Sequence, residues 1–549
     1  MSLRDEIAPL IEGDVADDEA TLKKFSRDTS IFERRPALVV YPKNANDVVA
    51  VVRFVEAAKR EGRRISIAAR SAGTDMTGGP LTDSIALVFT KYMDRIGEVT
   101  SADVRAEPGV YYRDLERETL AKVGRLIPSY PASRELCAIG GMIANNSGGE
   151  LTLHWGQTRK YVRELDVVLS DGSRTTMRPL SPDELASKKA EQTLEGEIYR
   201  KVHALLDREE HAIEAARPSV SKNSAGYALW EVINKEKGTF DLSQLITGSQ
   251  GTLALITGAK LGLVQLPANR AMLIVFLSDV SILPTIVERV RSFDPESFES
   301  YDDKTFRLAV RFLPQVIAHF GLSQMLRLAL SFIPEMWVVM TGGVPKLVLM
   351  AEFAEASHEG ALRKARSARD ALRDLPLRTK IAKSETAAAK YWTVRRESFA
   401  LLRKNLQGLY AAPFIDDIVV HPSDYPTFLP ELHDVLSKYS LIYTIAGHIG
   451  DADFHIIPLV DLSKAESHKV ILELNQKVYE LVARYKGSIT GEHNDGIIRT
   501  PYLSLMYGDK MCSLFAEVKN IFDPHNIFNP GKKVGGTLQD IERSMITTI

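Results

Sequence analysis

Residues 444–457 read apolar strand, polar turn, apolar strand, with His448 on one arm and His455 on the other. With Asp451 and Ala452 as a two-residue loop, Gly450 pairs with Asp453, Ile449 with Phe454, and His448 with His455. Directly opposed residues of an antiparallel pair hold their Cβ atoms about 5 Å apart on one face. Two imidazoles at that separation can share one cation. Glu492 and His493 follow in GSITGEHNDG. His448, His455 and Glu492 form a three-ligand set that leaves one coordination position open, as catalytic zinc sites do. Manganese or iron accepts the same ligands, and the sequence does not choose among the three.

A different chemistry is written in three runs of small residues. The first is Arg70, Ser71, Ala72, Gly73, Thr74, Asp75, Met76, Thr77, Gly78 and Gly79, placed after a strand-like segment. Small residues let backbone N–H groups converge on an anion, and threonine hydroxyls add donors. No Gly-Lys-Ser/Thr follows, and the glycine spacing is not that of the dinucleotide fingerprint. An ordinary turn has the same composition. The second run, IGGMIANNSGG from Ile139 to Gly149, carries no charge. It suits a backbone laid against something flat, and equally the tightly packed start of a helix. The third, Gly248 to Leu253, opens a strand.

The elements that must position these residues follow from periodicity. Residues 37–62 read strand, turn, helix, with Asn46 as cap and Val48, Val49, Val52, Val55 and Ala58 on the buried face. Further strands are expected at 63–70, 84–92, 164–170 and 249–267, giving a sheet-rich unit over 36–267 behind a helical segment at 1–35. Beyond Pro267, the strands AMLIVFLS, KLVLMAEF and LIYTIAGHI alternate with charged helices such as 359–373. This predicts a second unit over 268–504, an antiparallel sheet with helices on one face, and a helical return over 505–549. The class is α+β.

Lys and Arg total 69 against 71 Asp and Glu, a net charge of −2, which argues against a polyanion-binding domain and so against a nucleic-acid partner. Two cysteines, Cys137 and Cys512, exclude a disulfide scaffold and a cysteine-rich cluster, and fit a reducing compartment. The acidic N-terminus has no apolar core of a secretory signal. The apolar stretch from Phe306 to Phe353 is interrupted by Arg307, Arg311, Pro314, Arg327, Pro334, Glu335 and Lys346, so no membrane span is expected. It reads as a helix or two over 315–333 and then a buried strand, with an amphipathic membrane-resting surface as the alternative. The expected location is cytoplasmic, with peripheral membrane contact left open.

RSAGTDMTGG, PSYPASRELCAIGGMIANNSGGE, TRKYVRELDVVLSDG, KNSAGYALW and GSQGTLALIT stand in an order and spacing that resemble the vanillyl-alcohol-oxidase/p-cresol-methylhydroxylase flavoproteins. More narrowly, they resemble the FAD-linked D-2-hydroxy-acid dehydrogenases: D-lactate dehydrogenase, the glycolate oxidase FAD subunit and D-2-hydroxyglutarate dehydrogenase. The resemblance implies that 36–267 binds FAD and that 268–504 is a substrate cap. It implies that the loop from Arg70 to Gly78 wraps the pyrophosphate, with Gly73, Thr74, Thr77 and Gly78 closest. Pro131, Gly140, Gly141, Ala144, Asn145 and Ser147 would line the dinucleotide, Ile256 would touch the adenine side, and Asn529 joins the cofactor set. Thr74 stands where covalent-flavin relatives often carry histidine, so FAD is expected to be non-covalent. Cys137, where threonine is common, is expected to be a small buried residue.

The resemblance also supports the metal set and makes His493 the general base. It makes Arg395, in YWTVRRE, the clamp for a substrate carboxylate, while Arg396 is expected in a surface ion pair. Asp416, Asp417 and His421 precede the hairpin without assigned roles. The implied reaction is oxidation of a D-2-hydroxy acid of lactate, glycolate or 2-hydroxyglutarate type to the keto acid. Metal polarises the hydroxyl and flavin N5 takes the hydride. With no cluster cysteines, the electrons are expected to pass to a separate acceptor: a quinone, a cytochrome, an electron-transfer flavoprotein or an iron–sulfur subunit. The stretch from Phe306 to Phe353 is a candidate docking surface for it. Alternatives are a flavin oxidase using oxygen, a non-redox enzyme of the ether-lipid-synthase type and a flavin-binding relay subunit.

Overall fold

The computed structural model describes residues 2–303, 344–404 and 408–547. The expected helices over 315–333, and most of the proposed docking stretch, lie outside the described residues. Among the described residues three large sheets organise the chain, beside a two-stranded one formed by Ile233–Asn234 and Thr239–Phe240, and the class is α+β.

The first has four strands in the order Asp14–Ala16, Leu38–Tyr41, Ile85–Val88, Ile67–Arg70, the last three mutually parallel. The helix Ala45–Arg60 buries Val48, Val51, Val52, Val55 and Ala58. Its cap is Asn44, not Asn46: the Asn44 side chain accepts from the backbone of Asn46 and Asp47. The helix therefore begins one residue before Asn46, and the buried stripe takes in Val51, with Val49 only half-buried. The tail returns to this sheet, where Phe528 bridges Ile67 in parallel and the Asn529 N–H donates to the Ile67 carbonyl.

The second sheet runs Ile96–Val99, Asp103–Ala106, Leu255–Gly262, Val162–Val168, Arg174–Met177. The segment 249–254 ahead of Leu255 is a turn rather than strand. The small-residue run forms the short helix Ile139–Asn145.

The third sheet has eight strands in antiparallel pairs. Along it lie Arg378–Ala382, Asn269–Leu277, Leu347–Glu355, Ser297–Asp302, Ile442–His448, Asp453–Val460 and Tyr410–Ala411, with Ile418–Val419 also on Asp453–Val460. Period-2 alternation sorts its side chains. Leu273, Val275 and Leu277 pack with Ile286 and Val287 of the helix Leu283–Arg291 and with Ala361 and Ala365 of His358–Asp370. Met272, Ile274 and Phe276 face the other way, against Ala388, Tyr391 and Trp392 of the helix Glu385–Lys404. That helix carries Arg395 to the third sheet's edge of the cavity. Among the described residues, no helix is long and apolar enough to cross a membrane.

Candidate functional site

A cavity of about 560 Å³ is lined by residues from all three small-residue runs and by the third sheet. Along one wall the chain leaves the strand Ile67–Arg70 into the loop 71–79. Asp75 organises that loop: its Oδ1 accepts from the Thr77 N–H at 2.7 Å, the Thr77 hydroxyl at 2.8 Å and the Gly79 N–H at 3.0 Å. Its Oδ2 accepts from Asn145 at 2.9 Å, tying the first run to the second. Gly73 has φ +74°, and a Cβ there would stand 2.3 Å from the Arg70 guanidinium, so only glycine fits this bend. At Gly140 a Cβ would meet Pro108 at 2.7 Å and Ser71 at 2.8 Å, which brings helix and loop backbones together.

Arg70, Ser71, Ala72, Gly73, Thr74 and Asp75 line the cavity, as do Pro131, Gly140, Gly141, Ala144, Asn145, Ser147 and Ile256. The second run is thus both a helix start and a cavity wall. Three residues expected at the cofactor do not line it. Thr77 is fully buried, with its hydroxyl on Asp75 and its carbonyl taking the Ile497 N–H. Gly78 packs under Phe32 and Ile497. Asn529 braces from behind, donating to the carbonyls of Gly79 at 2.9 Å and Gln250 at 2.7 Å. Arg70 directs its guanidinium to the carbonyls of Phe25 and Arg27, so its role is to hold the loop. Gln250, in the third small-residue run, touches Thr77, Asn145 and Gly496 at once. Cys137 is buried, and burial pushes its thiol up to about 12, which makes it inert.

The hairpin on the opposite wall differs from its expected register. His448 pairs with Asp453, and His455 with Ala446. The connection is Ile449–Asp451 as a 3-10 turn plus Ala452 in the left-handed region (φ 56°), four residues where two were expected. A slip of two residues preserves the face of every side chain. The two imidazoles are therefore diagonal neighbours with ring centroids 5.2 Å apart. Glu492 reaches both, its Oε1 lying 3.2 Å from His448 Nε2 and 3.7 Å from His455 Nε2. His448, Asp453, His455 and Glu492 converge within 4.8 Å, which suits a single cation and adds Asp453 as a fourth candidate ligand.

Charged groups pack closely behind them. Glu299, on the strand Ser297–Asp302, contacts His448 Nδ1 at 2.6 Å with Oε1 and accepts from Arg395 Nε at 3.2 Å with Oε2. Lys222, fully buried, lies 3.0 Å from Glu492, 3.3 Å from Asp453 and 3.6 Å from Asp451. It sits in the KNSAGYALW motif, the signal that could have drawn attention to it; Glu299 has no such signal. Asp417 fixes the Glu492–His493 loop by accepting both backbone N–H groups and the Thr490 hydroxyl. Asp416 contacts the rings of His455 and His493. His421 instead caps an exposed short helix through Ser423. Arg396 pairs with Glu150 at 2.5 Å, as expected of an ion pair, yet it lines the cavity and stacks on Trp392.

Burial works against charge on these groups, and for all but Asp453 their neighbours prevail. His448 is pulled down by burial and raised by Glu299 and Glu492, to about 10. Burial also lowers His493, but Asp417 and Asp416 carry it up to about 10. Burial opposes the Glu492 charge, while Lys222 and His448 hold its carboxyl well below the ordinary range. Burial lifts Asp453 to about 6 against the pull of Lys222. Carboxylates crowd these rings and hold His448 and His493 protonated in the metal-free fold; a divalent metal on the same donors would take over the balancing charge.

The sequence matches the family described as FAD binding domain over residues 36–178 and the family FAD linked oxidases, C-terminal domain, over 266–533. It is 28% identical to a D-2-hydroxyglutarate dehydrogenase of Escherichia coli K12 over 95% of this chain and 50% of that one. It is 24% identical to glycolate oxidase subunit GlcD of Bacillus subtilis over 92% and 90%. With a D-lactate dehydrogenase of Archaeoglobus fulgidus the identity is 24% over 90% and 91%. The chain thus spans about half the length of the first curated relatives it matches. Its fold is that of 4-ethylphenol oxidase from Gulosibacter chungangensis, with TM-score 0.69 and 16% identity over 97% of each chain. It is likewise that of p-cresol methylhydroxylase, with TM-score 0.66 and 14% identity over 98% and 96%.

Proposed function

The chain belongs to the FAD-linked oxidases, and on that premise we propose that it oxidises a D-2-hydroxy acid to the 2-keto acid. Lactate, glycolate and 2-hydroxyglutarate are the substrate types. The carrying observation is that His448, His455, Glu492, His493 and Arg395 line the same cavity as the glycine-rich cradle. In this reading residues 36–267 bind the dinucleotide, 268–504 supply the substrate groups, and the flanking segments close on the first unit.

The cradle fits a dinucleotide: the N–H groups of Gly73 and Thr74 donate to no atom of the described residues, and glycine is required where the backbone bends. Non-covalent FAD, when bound there, supplies the hydride acceptor. His448, His455 and Glu492 would hold zinc, manganese or iron, which would supply a Lewis acid for the substrate hydroxyl and offset the carboxylate charge that raises His493. Arg395, oriented by Glu299, clamps the substrate carboxylate. His493 takes the hydroxyl proton at Nε2, its Nδ1 being turned to Asp416. The electrons then go to a separate acceptor.

Dye-linked turnover of the purified protein against D- and L-2-hydroxy acids, before and after chelation, tests this. D-selective activity that chelation removes and zinc or manganese restores is expected. Bound flavin without turnover of any hydroxy acid would refute the proposal.

A further inference from the structure

Asp416 lies between the short strands Tyr410–Ala411 and Ile418–Val419 and is 1% exposed. It turns one carboxylate oxygen to each of two imidazoles. Oδ1 is 2.9 Å from His455 Nδ1, and Oδ2 is 3.2 Å from His493 Nδ1. The two rings stand 5.2 Å apart, inclined by 31°, and both line the cavity.

The carboxylate is held in register with the loop that carries His493. Arg499, fully buried, donates to the Asp416 carbonyl, to the Ile489 carbonyl at 3.0 Å and to the Asn494 carbonyl at 3.1 Å. Asp417, the next residue, receives the N–H groups of Glu492 and His493. The pair Asp416–Asp417 therefore grips the His493 loop twice, through the His493 ring and through the loop backbone.

An ionised carboxylate only accepts hydrogen bonds. Each neutral ring facing it must carry its proton on Nδ1, which leaves the Nε2 lone pair for the cavity side. For His455 that is the nitrogen nearest Glu492 Oε1. Metal-ligating histidines ordinarily have their second nitrogen fixed in this way, and loss of such a partner costs 10–100-fold in affinity or activity. The His493 contact is at ion-pair distance and lacks hydrogen-bond alignment, as catalytic contacts often do before substrate binds.

We propose that Asp416 is a positioning residue that sets the tautomer and orientation of His455 and His493 together, coupling the alignment of a metal ligand to that of the base. The inference rests on the reading above, which makes His455 a ligand and His493 the base.

The test uses the full flavin-loaded chain labelled with ¹⁵N at histidine, stripped of metal for calorimetry and reloaded with zinc for the ring shifts, so that the carboxylate charge that protonates the metal-free His493 ring is offset. Asp416→Asn offers one accepting oxygen and one NH₂ group, so it serves only one ring; Asp416→Glu keeps two oxygens. Zinc affinity by calorimetry, ring ¹⁵N shifts, kcat and KM are read for both variants. In Asp416→Asn, zinc affinity and kcat are each expected to fall about 10–100-fold, with KM moving less than kcat. One ring should shift from the Nδ1–H to the Nε2–H form, and Asp416→Glu should restore part of each loss. Wild-type zinc affinity together with unchanged tautomers in Asp416→Asn would overturn the inference. If that variant loses its flavin, the wild-type ring shifts decide: an Nε2–H tautomer on either ring overturns it, and Nδ1–H on both supports it. Zinc binding without hydroxy-acid turnover would sink the functional reading alone, because affinity and tautomers still decide the role of Asp416.

Discussion

Replacing Lys222 by methionine removes the ammonium that sits 3.0 Å from Glu492, 3.3 Å from Asp453 and 3.6 Å from Asp451 in a site with no solvent access to the lysine. Removing one partner of a buried ion pair costs about 3–5 kcal/mol, because the remaining charge is left uncompensated. For a chain of 549 residues unfolding as one unit, at about 2.1 cal/mol/K of unfolding entropy per residue, that lowers the thermal midpoint by about 3–4 °C. The loss depends on pH. Without the ammonium, the folded-state pKa values of these carboxyls rise above their unfolded values of about 4. The deficit is therefore small below pH 4 and grows as pH rises through the raised values. A divalent cation can replace the missing charge, so zinc should stabilise the variant more than the wild type. At 100 times its Kd, zinc adds about 2.7 kcal/mol to any protein that binds it only when folded; the variant, binding it more tightly, gains more at equal zinc. The assay is thermal unfolding of metal-stripped protein at pH 5 and pH 8, with and without zinc. A variant with the wild-type midpoint at pH 8, or with no larger zinc gain than the wild type, would refute the reasoning.

Further outcomes follow from other parts of the site. Gly140→Ala places a methyl 2.7 Å from Pro108 and 2.9 Å from its backbone carbonyl, an overpacking of about 1–3 kcal/mol that should appear as a lower flavin-to-protein ratio after purification. Arg395→Lys keeps the charge but loses the planar fork held by Glu299, and should raise KM for hydroxy acids about tenfold or more with a smaller change in kcat, read by steady-state kinetics. Burial raises Asp453 to about 6 in the fold, so its contribution favours the folded state below about pH 4 and is lost as pH climbs to 6. Metal-free wild type should therefore gain stability from pH 7 to pH 5 relative to Asp453→Asn. Parallel denaturation midpoints for the two proteins across that range would contradict the assignment.

The hairpin histidines show why part of the site was legible beforehand. Strand side chains alternate with period two, so a register wrong by two residues still placed His448 and His455 on one face. The helix cap at Asn44 was misplaced because Asn44 and Asn46 are both competent caps, and only the path of the chain out of Tyr41 selects between them. Thr77, Gly78 and Asn529 entered the cofactor set through the family resemblance, which does not say which residues of a cradle face inward. Asp75 turned the Thr77 hydroxyl away from the cavity, and Asn529 closed the loop from behind.

Local order in the chain determined what neighbouring residues decide among themselves: the glycine bends, the alternating strands, the adjacent Glu492 and His493, and the α+β class. Tertiary structure decided what depends on elements far apart in the chain. Lys222 meets Glu492 across 270 positions, and Glu299 meets His448 across 149. Asp416 reaches His455 from 39 residues away. No periodicity or spacing encodes such pairings. They arise because three sheets fold around one cavity and bury charges that must then find partners, and burial is a property of the whole packed chain.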